Sequence, residues 1–420
     1  MITSTFLLIT FFCLGYSAII FEFQIKANKT AVALFLAAVL WVVFFVSSSN
    51  PLSENLNTLS HHISSISQIL FFLLGAMTLV ELIDSHNGFY VITRLIRAKS
   101  KRYMLWIICG LCFCLSAVLD NLTTTILMIS ILKKLIPEAK ERLLLACMVV
   151  VASNAGGAWS PIGDVTTTML WVNGQISSTA VMRSVFIPSI LAALIPILYI
   201  TFRLKGGYDA SQLEFDKNPL EPGARIVFFF GIVSFLFVPI FKWLTGLPPY
   251  MGMLLGLSIL WFVTDLLHHK YEHRHHLRIP FILTKIDVSN ILFFLGILLS
   301  VHALESAGVL QSLATVLNSV LKAHILIAFI IGILSSIVDN VPLVAASIGM
   351  YPLSTYPLDS KLWLMIAYAA GTGGSILLIG SSPGVALMGL EKIHFFQYMK
   401  KITIPAFLGY IAGMAYYLFF

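Results

Sequence analysis

The sequence predicts an all-α polytopic membrane protein made of two inverted repeats, each with five transmembrane helices and one re-entrant hairpin. Three observations lead to this fold class: an apolar composition, continuous apolar segments of about 20 residues, and a repeated set of motifs. Of the 420 residues, 58% are hydrophobic and only 11% are charged. Soluble domains average about 25% charged residues, so lipid is the expected solvent. The strands of a membrane barrel would instead appear as short segments in which apolar and polar residues alternate.

Ten apolar segments are long enough to cross a bilayer as helices. They lie at residues 3–21, 31–47, 67–83, 143–170, 183–202, 224–243, 250–267, 288–304, 362–388 and 402–420. Two more apolar segments, 103–136 and 324–354, are interrupted at their centres by an Asp-Asn pair. Their arms, about 14–17 residues each, are at the short end for spanning. We therefore predict two re-entrant hairpins, whose polar tips need surrounding protein or water.

The distribution of basic residues predicts the orientation. Lysine and arginine are concentrated in segments 84–102 and 133–142, which flank the first hairpin. Cytoplasmic loops of membrane proteins carry an excess of these residues, so both ends of that hairpin are expected in the cytoplasm. Counting spans outward predicts an outer loop at 48–66 and two extracytoplasmic termini. The net charge of +7 follows from the basic loops and does not indicate a nucleic-acid partner.

Several motifs occur twice. LSAVLDN, which ends at Asn121, matches LSSIVDN, which ends at Asn340, and a Gly-Gly pair recurs with a third glycine seven residues after its first. Asp339 lies 219 residues after Asp120, and Gly373 lies 217 residues after Gly156. Two independent matches at nearly one offset indicate duplication. Because each copy has an odd number of spans, the second copy must enter the membrane upside down.

The duplication predicts the domain organisation. The first repeat comprises residues 1–205, with the hairpin 103–136 and a broken helix at 143–170. A cytoplasmic connector, 206–223, leads to the second repeat, 224–420, with the hairpin 324–354 and a broken helix at 362–388. In transporters with inverted repeats, substrate and ion sites lie near the midplane at interrupted helices. We therefore expect the ion-binding residues at the two hairpin tips and the two helix breaks.

The tip of the first hairpin is the first polar constellation. Asp120 and Asn121 precede three threonines, beginning with Thr123. An intramembrane charge costs several kcal/mol, so such an aspartate is a functional hypothesis by default. The alternative is an N-cap for the second arm, but an uncharged serine or threonine could serve there. We predict ion binding by Asp120, Asn121 and Thr123, and by their counterparts Asp339 and Asn340.

The second constellation, Ser153–Thr168, lies inside a predicted span. Its glycines and proline would open a helix and free backbone carbonyls, while its acid and hydroxyl groups add the oxygen ligands that hard cations prefer. A simple Gly/Pro kink with packing glycines is the alternative, but it leaves Asp164 unexplained. Predicted ligands here and in the second repeat are Asn154, Asp164, Thr166, Thr167, Ser375 and Ser381. Predicted helix breaks are Gly156, Gly157, Pro161, Gly163, Gly373, Gly374 and Gly380. A sodium ion is expected at Asp120, Asn121 and Asp164.

Other titratable groups allow two interpretations. Glu81, Asp84 and Glu305 lie near span ends, where they either reach the membrane interface or give protons access to the site. The histidine-rich segment 268–276 is predicted to be a solvated loop, with pH sensing or metal binding as the alternative. The cluster Cys109–Cys114 lies in an apolar span without nearby His or Asp, and we predict helix packing for it.

Five segments, LFFLLGAMTLVEL, SAVLDNLTTTILM, NAGGAWSPIGDVTTTMLW, VDNVPLVAA and GTGGSILLIGS, together resemble the NhaD-type sodium/proton antiporters. This family belongs to the ion transporter superfamily, with arsenite permeases and dicarboxylate and citrate carriers. In related carriers the tips hold a Ser-Asn-Thr triplet that helps bind sodium, where this chain has Asp120-Asn121-Leu122 and Asp339-Asn340-Val341. The resemblance implies ion sites at the tips and broken helices, a homodimer, and an elevator-like movement.

The expected function is secondary active exchange of Na⁺ or Li⁺ for H⁺, for sodium extrusion and pH homeostasis, without a cofactor and without enzyme activity. The expected location is the bacterial cytoplasmic (inner) membrane. A carrier or efflux permease for another solute, such as arsenite or a dicarboxylate, is the nearest alternative. An intramembrane hydrolase with paired acids is an alternative of another class, but it would need no inverted repeat. An organic-anion carrier would require basic groups or helix N-termini at its site.

Overall fold

The computed structural model describes residues 2–20, 22–89, 100–204, 206–207, 221–321, 323–391, 393 and 395–419. Their regular structure is helical, apart from an isolated bridge between Ser100 and Gly207. The first repeat of the predicted layout contains α1 (Ile2–Ile20), α2 (Lys29–Ser47), α3 (Leu52–Ser85), α4 (Lys101–Leu119), α5 (Asn121–Leu135), α6 (Ala139–Ala158), α7 (Val165–Val172) and α8 (Ser178–Arg203).

The remaining helices follow the segment predicted as a connector, most of which lies outside the described residues. They are α9 (Ala224–Thr245), α10 (Pro249–His268), α11 (Val288–Ser306), α12 (Val309–Leu321), α13 (His324–Ser335), α14 (Asn340–Met350), α15 (Lys361–Gly373), α16 (Ser382–Glu391) and α17 (Phe395–Phe419). Three short helices, Glu22–Ile25, Glu272–Leu277 and Ile279–Ile282, connect longer ones.

The described residues form a multi-pass membrane protein. Nine of their helices are long and apolar enough to cross a bilayer, or ten if the bent pair α12 and α13 is one span. Large apolar side chains also remain exposed on the outside of the bundle, such as Val46, Trp243 and Phe262 at 83%, 82% and 73%. Contact with lipid explains this exposure, because lipid tails do not penalise apolar surface.

Two predicted boundaries were wrong, and one helix was not predicted. The outer loop expected at 48–66 is mostly the start of α3, a continuous helix of 34 residues. Its polar first half contacts another helix, as in the 3.1 Å contact between His62 Nε2 and Ser306 Oγ. The first arm of the first hairpin, α4, has 19 residues, which is more than the predicted arm length. Helix α12 was not predicted at all.

The two interrupted segments and the two hairpins pack together in the middle of the molecule. Helix α6 packs on both hairpin arms α4 and α5, and α15 packs on α13 and α14. The two sets also meet each other: α5 contacts α16, α14 contacts α7, and α6 contacts α15. This arrangement positions the polar residues of both breaks inside the protein.

Close backbone packing explains why both copies of the repeated motif have glycine at the same position. A Cβ atom on Gly163 would clash with the carbonyl oxygen of Ser116, and one on Gly380 would clash with that of Ser335. Only glycine allows so close an approach. The interpretation of these glycines as helix-packing positions is therefore supported.

Candidate ion-binding site

Asp164 lies at the beginning of α7, directly after the break that follows α6. Its side chain caps the helix: the Thr166 backbone N–H and the Thr166 hydroxyl both donate to Asp164 Oδ1 at 2.9 Å. The carboxylate is 1% exposed. A capping aspartate satisfies the free N–H groups of a helix start, so the structural interpretation is correct as far as it goes. It does not account for the second carboxylate oxygen.

That second oxygen joins the hairpin tip to the broken helix. Asn121 Nδ2 donates to Asp164 Oδ2 at 2.8 Å and to Asn154 Oδ1 at 3.1 Å. Asn121 begins α5, whereas Asn154 lies on α6 before the break. Three predicted ligands, separated in sequence, are therefore brought into direct contact by one amide group.

The contacts continue into the second set of helices. Asn154 Nδ2 donates to Ser375 Oγ and to Ser381 Oγ, each at 2.9 Å. Both serines lie in the break between α15 and α16 and are almost fully buried. We call these five residues the central polar network: Asn121, Asn154, Asp164, Ser375 and Ser381.

The charge of the network is acidic. Among the hydrogen bonds of the described residues, none joins a Lys or Arg side chain to it. Asp120 and Asp339 both act on the Asp164 carboxylate as like charges. A buried carboxylate that lacks a basic partner is costly, and binding either a proton or a cation would remove that cost. The arrangement is therefore suited to exchange between these two ligands.

Asp120 lies between α4 and α5, at the position predicted to be the tip of the first hairpin. Its backbone has φ 84° and ψ 157°, a region populated almost only by glycine, and strain of about 1–3 kcal/mol is typical there. The Thr123 N–H donates to Oδ1 and the Thr123 hydroxyl donates to Oδ2, each at 2.8 Å. The fully buried Thr124 hydroxyl has no hydrogen-bond partner among the described residues. This position thus combines a strained backbone with a buried hydroxyl oxygen that has no hydrogen-bond partner among the described residues.

The second tip is different. Asp339 precedes α14, and its buried Oδ1 has no hydrogen-bond partner within the described residues. Lys29, at the start of α2, attracts the Asp339 carboxylate electrostatically, which sequence reasoning missed because the two residues are far apart in the chain. Asn340 is buried at the start of α14. No hydrogen bond described here links either residue to the central polar network.

The predicted ligand Thr167 and its neighbour Thr168 have backbone partners. The Thr167 hydroxyl donates to the Ala158 carbonyl at 3.3 Å, and the Thr168 hydroxyl donates to the Pro161 carbonyl at 3.0 Å. These contacts close the turn between α6 and α7. Thr167 therefore contacts the helix break, not the network.

Gly156, Gly157, Gly373 and Gly374 lie in contact with neighbouring backbone or side-chain atoms. A Cβ atom on Gly156 would meet the backbone of Phe113, and one on Gly373 would meet that of Gly332. Cβ atoms on Gly157 and Gly374 would meet the carbonyl oxygens of Gly163 and Gly380, respectively. The breaks are thus folded compactly onto the hairpin arms.

Sequence reasoning missed two serines that secure the hairpins to the broken helices. Ser116 Oγ donates to the Ser153 carbonyl at 2.6 Å, and Ser335 Oγ donates to the Ala370 carbonyl at 2.8 Å. Both serines belong to the repeated motif that ends in Asp-Asn. The repeat itself was the signal that could have identified them.

Two of the acids at the span ends, Glu81 and Glu305, have hydrogen-bond partners outside the central polar network. Glu81 Oε1 accepts a hydrogen bond from Ser85 and lies 3.7 Å from Lys285 Nζ, an arrangement typical of a membrane interface. Asp84 lies one turn further along α3. Glu305 accepts a hydrogen bond from His302 Nδ1 at 2.8 Å. A role in proton access stays a prediction for all three.

The histidine-rich segment was predicted to be solvated, which is wrong for its first residue. His268 is buried, and its Nε2 lies 3.0 Å from Nε2 of His86. Burial lowers the pKa of His86 to about 4, so this imidazole is neutral near pH 7. His269, His275 and His276 are exposed, as predicted.

The cysteines also differ from one another. Cys109 and Cys112 are buried in α4, whereas Cys114 is exposed. The buried pair agrees with a role in helix packing.

Comparison with known proteins identifies the family. A family model described as citrate transporter (CitMHS) matches residues 16–365. Sodium/proton antiporter 2 of Arabidopsis thaliana is 47% identical over 413 residues, which cover 97% of this chain and 97% of that protein. Sodium/proton antiporter 1 of the same plant is 47% identical over 409 residues, covering 97% and 71%. The Na(+)/H(+) antiporter NhaD of Halomonas elongata is 30% identical over 447 residues, covering 98% and 88%. The chain therefore belongs to the NhaD-type sodium/proton antiporter family.

Proposed function

We propose that this protein exchanges Na⁺ or Li⁺ for H⁺ across a membrane by alternating access. The observation that carries the proposal is the Asn121 amide, which joins Asp164 of one broken helix to Asn154 and, through it, to the serines of the other. The names of the Arabidopsis and bacterial relatives describe the same exchange. Hard cations prefer the carboxylate, amide and hydroxyl oxygens of such a set.

The exchange would follow from competition at one carboxylate. When Asp164 is ionised, its Oδ2, the Asn154 amide oxygen and the serine hydroxyl oxygens can turn toward a small cation. When Asp164 is protonated, the charge that attracts the cation is lost. In both the cation-bound state and the protonated state the charge of the carboxylate is neutralised. The empty ionised state instead leaves a buried charge without a counterion. Cation and proton would therefore cross the membrane in opposite directions.

The first prediction concerns cation selectivity in proteoliposomes. Sodium and lithium are expected to collapse a preset proton gradient at least about tenfold faster than potassium, which corresponds to ~1.4 kcal/mol of preference. The physical reason is the acidic, oxygen-rich character of the network, because its carboxylate, amide and hydroxyl oxygens can approach a smaller cation more closely. A pH-sensitive dye inside the vesicles measures the response.

Empty liposomes and a proton ionophore provide the limits of that assay. Equal rates with potassium would contradict the proposed selectivity. The absence of any cation response, with folded protein in the vesicles, would contradict the exchange itself.

We further propose that the chain consists of two inverted repeats that move by an elevator-like mechanism. The repeat is supported by the pair of equivalent hydrogen bonds made by Ser116 and Ser335, together with the matched close approaches of Gly163 and Gly380. Each bond joins a first hairpin arm to the following broken helix. Two segments related by duplication thus use the same contacts.

The second prediction tests the inverted arrangement through the accessibility of the tips. The single cysteines Leu122→Cys and Val338→Cys are introduced separately after replacing Cys13, Cys109, Cys112, Cys114 and Cys147. A membrane-impermeant thiol reagent is expected to reach the first from the cytoplasmic side and the second from the outside. The rate for each should differ between the two sides at least about tenfold, equivalent to ~1.4 kcal/mol. Labelling of both cysteines from one side would contradict inverted repeats.

The finer features of the assembly are part of the same proposal. Both termini would lie on the extracytoplasmic side of a bacterial inner membrane, and the protein would act as a homodimer that needs no cofactor. The basic segments near the first hairpin support the orientation. Transport of another solute, such as arsenite or a dicarboxylate, is not favoured, because no basic side chain among the described residues is hydrogen-bonded to the network.

A further inference from the structure

A histidine cluster lies away from the central polar network. His62 lies in the first third of α3, while His302 and Glu305 lie in the last turns of α11. One potential ligand atom from each residue lies within 4.8 Å of the other two. The imidazole rings of His62 and His302 stack with centroids 4.3 Å apart. We propose that these three residues form a binding site for a divalent transition-metal ion of the Zn²⁺ class.

The geometry of α11 brings two of the ligands together. His302 and Glu305 are three residues apart, which places both side chains on one helix face. His302 Nδ1 already lies 2.8 Å from Glu305 Oε2. His62 is presented by the neighbouring helix, and its Nε2 lies 3.1 Å from the Ser306 hydroxyl. Such an outer contact orients an imidazole in protein metal sites.

The chemistry of the three donors selects the class of metal. Two imidazole nitrogens and one carboxylate oxygen form a common zinc set that leaves a fourth position open. Imidazole donors suit Zn²⁺, Co²⁺, Ni²⁺ and Cu²⁺, whereas Na⁺, Mg²⁺ and Ca²⁺ favour oxygen. The cluster and the central polar network are therefore selective for different ions. All three side chains are half-buried, so they remain reachable from solvent.

The position of Glu305 connects this site with the second hairpin. A Cβ atom on Gly349 would lie 3.1 Å from Glu305 Cδ, and Gln311 Nε2 donates to the Gly349 carbonyl at 3.4 Å. Gly349 is near the end of α14, the arm that begins beside Asp339. A metal ion that holds Glu305 would restrain this arm against α3 and α11. Bound metal would consequently slow the exchange, a consequence that rests on the proposed function.

The test begins with metal binding, which does not depend on transport. Purified protein, freed of any histidine tag, is titrated with Zn²⁺ by calorimetry and with Co²⁺ by visible absorption. The wild type is expected to bind about one ion per chain at this site. His302→Gln and Glu305→Gln should each weaken binding by about 10- to 100-fold or more, and His62→Gln should behave alike.

The exposed histidines His275 and His276 provide the matched control. The double variant His275→Gln/His276→Gln should retain the site's affinity. Size-exclusion profiles and thermal unfolding identify any variant that fails to fold, and two other ligands then carry the test. Unchanged affinity in the folded ligand variants, or no stoichiometric binding by the wild type, would overturn the proposal.

The second part of the experiment adds Zn²⁺ to proteoliposomes. Exchange by the wild type should slow at least about tenfold at saturating metal, while exchange by His302→Gln should not change. Metal binding without inhibition would contradict the link to α14 but leave the site intact. A wild type that binds Zn²⁺ yet exchanges no cation would contradict the proposed function and not the metal site.

Discussion

Asp164→Asn is expected to reduce sodium-driven proton efflux by about 100-fold or more. Even the loss of an outer-shell partner of a bound metal ion lowers affinity or activity by about 10- to 100-fold. The substitution removes the buried charge that attracts the cation and the group that takes up the proton. It also changes the hydrogen bonds. If the new amide oxygen keeps the Thr166 donors, its NH₂ group faces the Asn121 NH₂ group, and an unsatisfied buried donor costs about 1–3 kcal/mol.

The control for this variant is Asp265→Asn. Asp265 lies in α10 and forms an ion pair with Arg278 at 3.0 Å. Neither residue belongs to the central polar network. This pair is half-exposed, and ion pairs in contact with solvent contribute about 0–1 kcal/mol, so this variant should exchange normally. Protein yield, size-exclusion profile and thermal unfolding are compared for both. Exchange by folded Asp164→Asn at close to the wild-type rate would show that its carboxylate serves only as a helix cap.

Asp120→Asn extends the same prediction to the hairpin tip. Asparagine has the same shape, so it preserves the strained turn at φ 84° and changes mainly the charge. Its amide oxygen can still accept the Thr123 N–H, while its NH₂ group no longer accepts the Thr123 hydroxyl. Exchange should fall by about 100-fold. Retention of most activity would restrict Asp120 to a structural role.

Much of the fold could be predicted because lipid imposes simple requirements on a sequence. Apolar segments of the right length must be helices, and the family resemblance rested on long motifs. The extent of α3 could not be predicted, because its polar first half has no apolar signal. Helix α12 was missed for a related reason, because it is short. Its apolar residues, such as Val316 and Val320, which are exposed in the structure, do not indicate in the sequence where the chain bends.

The site was predicted in composition but not in connectivity. Asp164 and Asn121 were identified from intramembrane polarity, yet nothing in the sequence indicates that one amide joins them to Asn154. Thr167 was indistinguishable from Thr166 by residue type, although only Thr166 contacts the carboxylate. The cluster around His62 depends on contacts between distant helices, which periodicity and spacing do not reveal.

The direct test of competition is the number of protons released when sodium binds to purified protein. Calorimetry in two buffers with different protonation enthalpies measures this number at several pH values. If one site holds either ion, apparent sodium affinity should rise with pH, by up to about tenfold per unit while one proton is displaced. Ser381→Ala, which removes only a hydroxyl, should weaken sodium binding and retain proton release.

Asp164→Asn should lose that release, because its side chain carries no titrating proton. Competition at the Asp164 carboxylate predicts proton release in the wild type and in Ser381→Ala, and its absence in Asp164→Asn. Sodium binding by the wild type with constant affinity and no proton release across the pH range would contradict competition at the central polar network. Undiminished release from Asp164→Asn would equally contradict the assignment of Asp164 as the shared ligand.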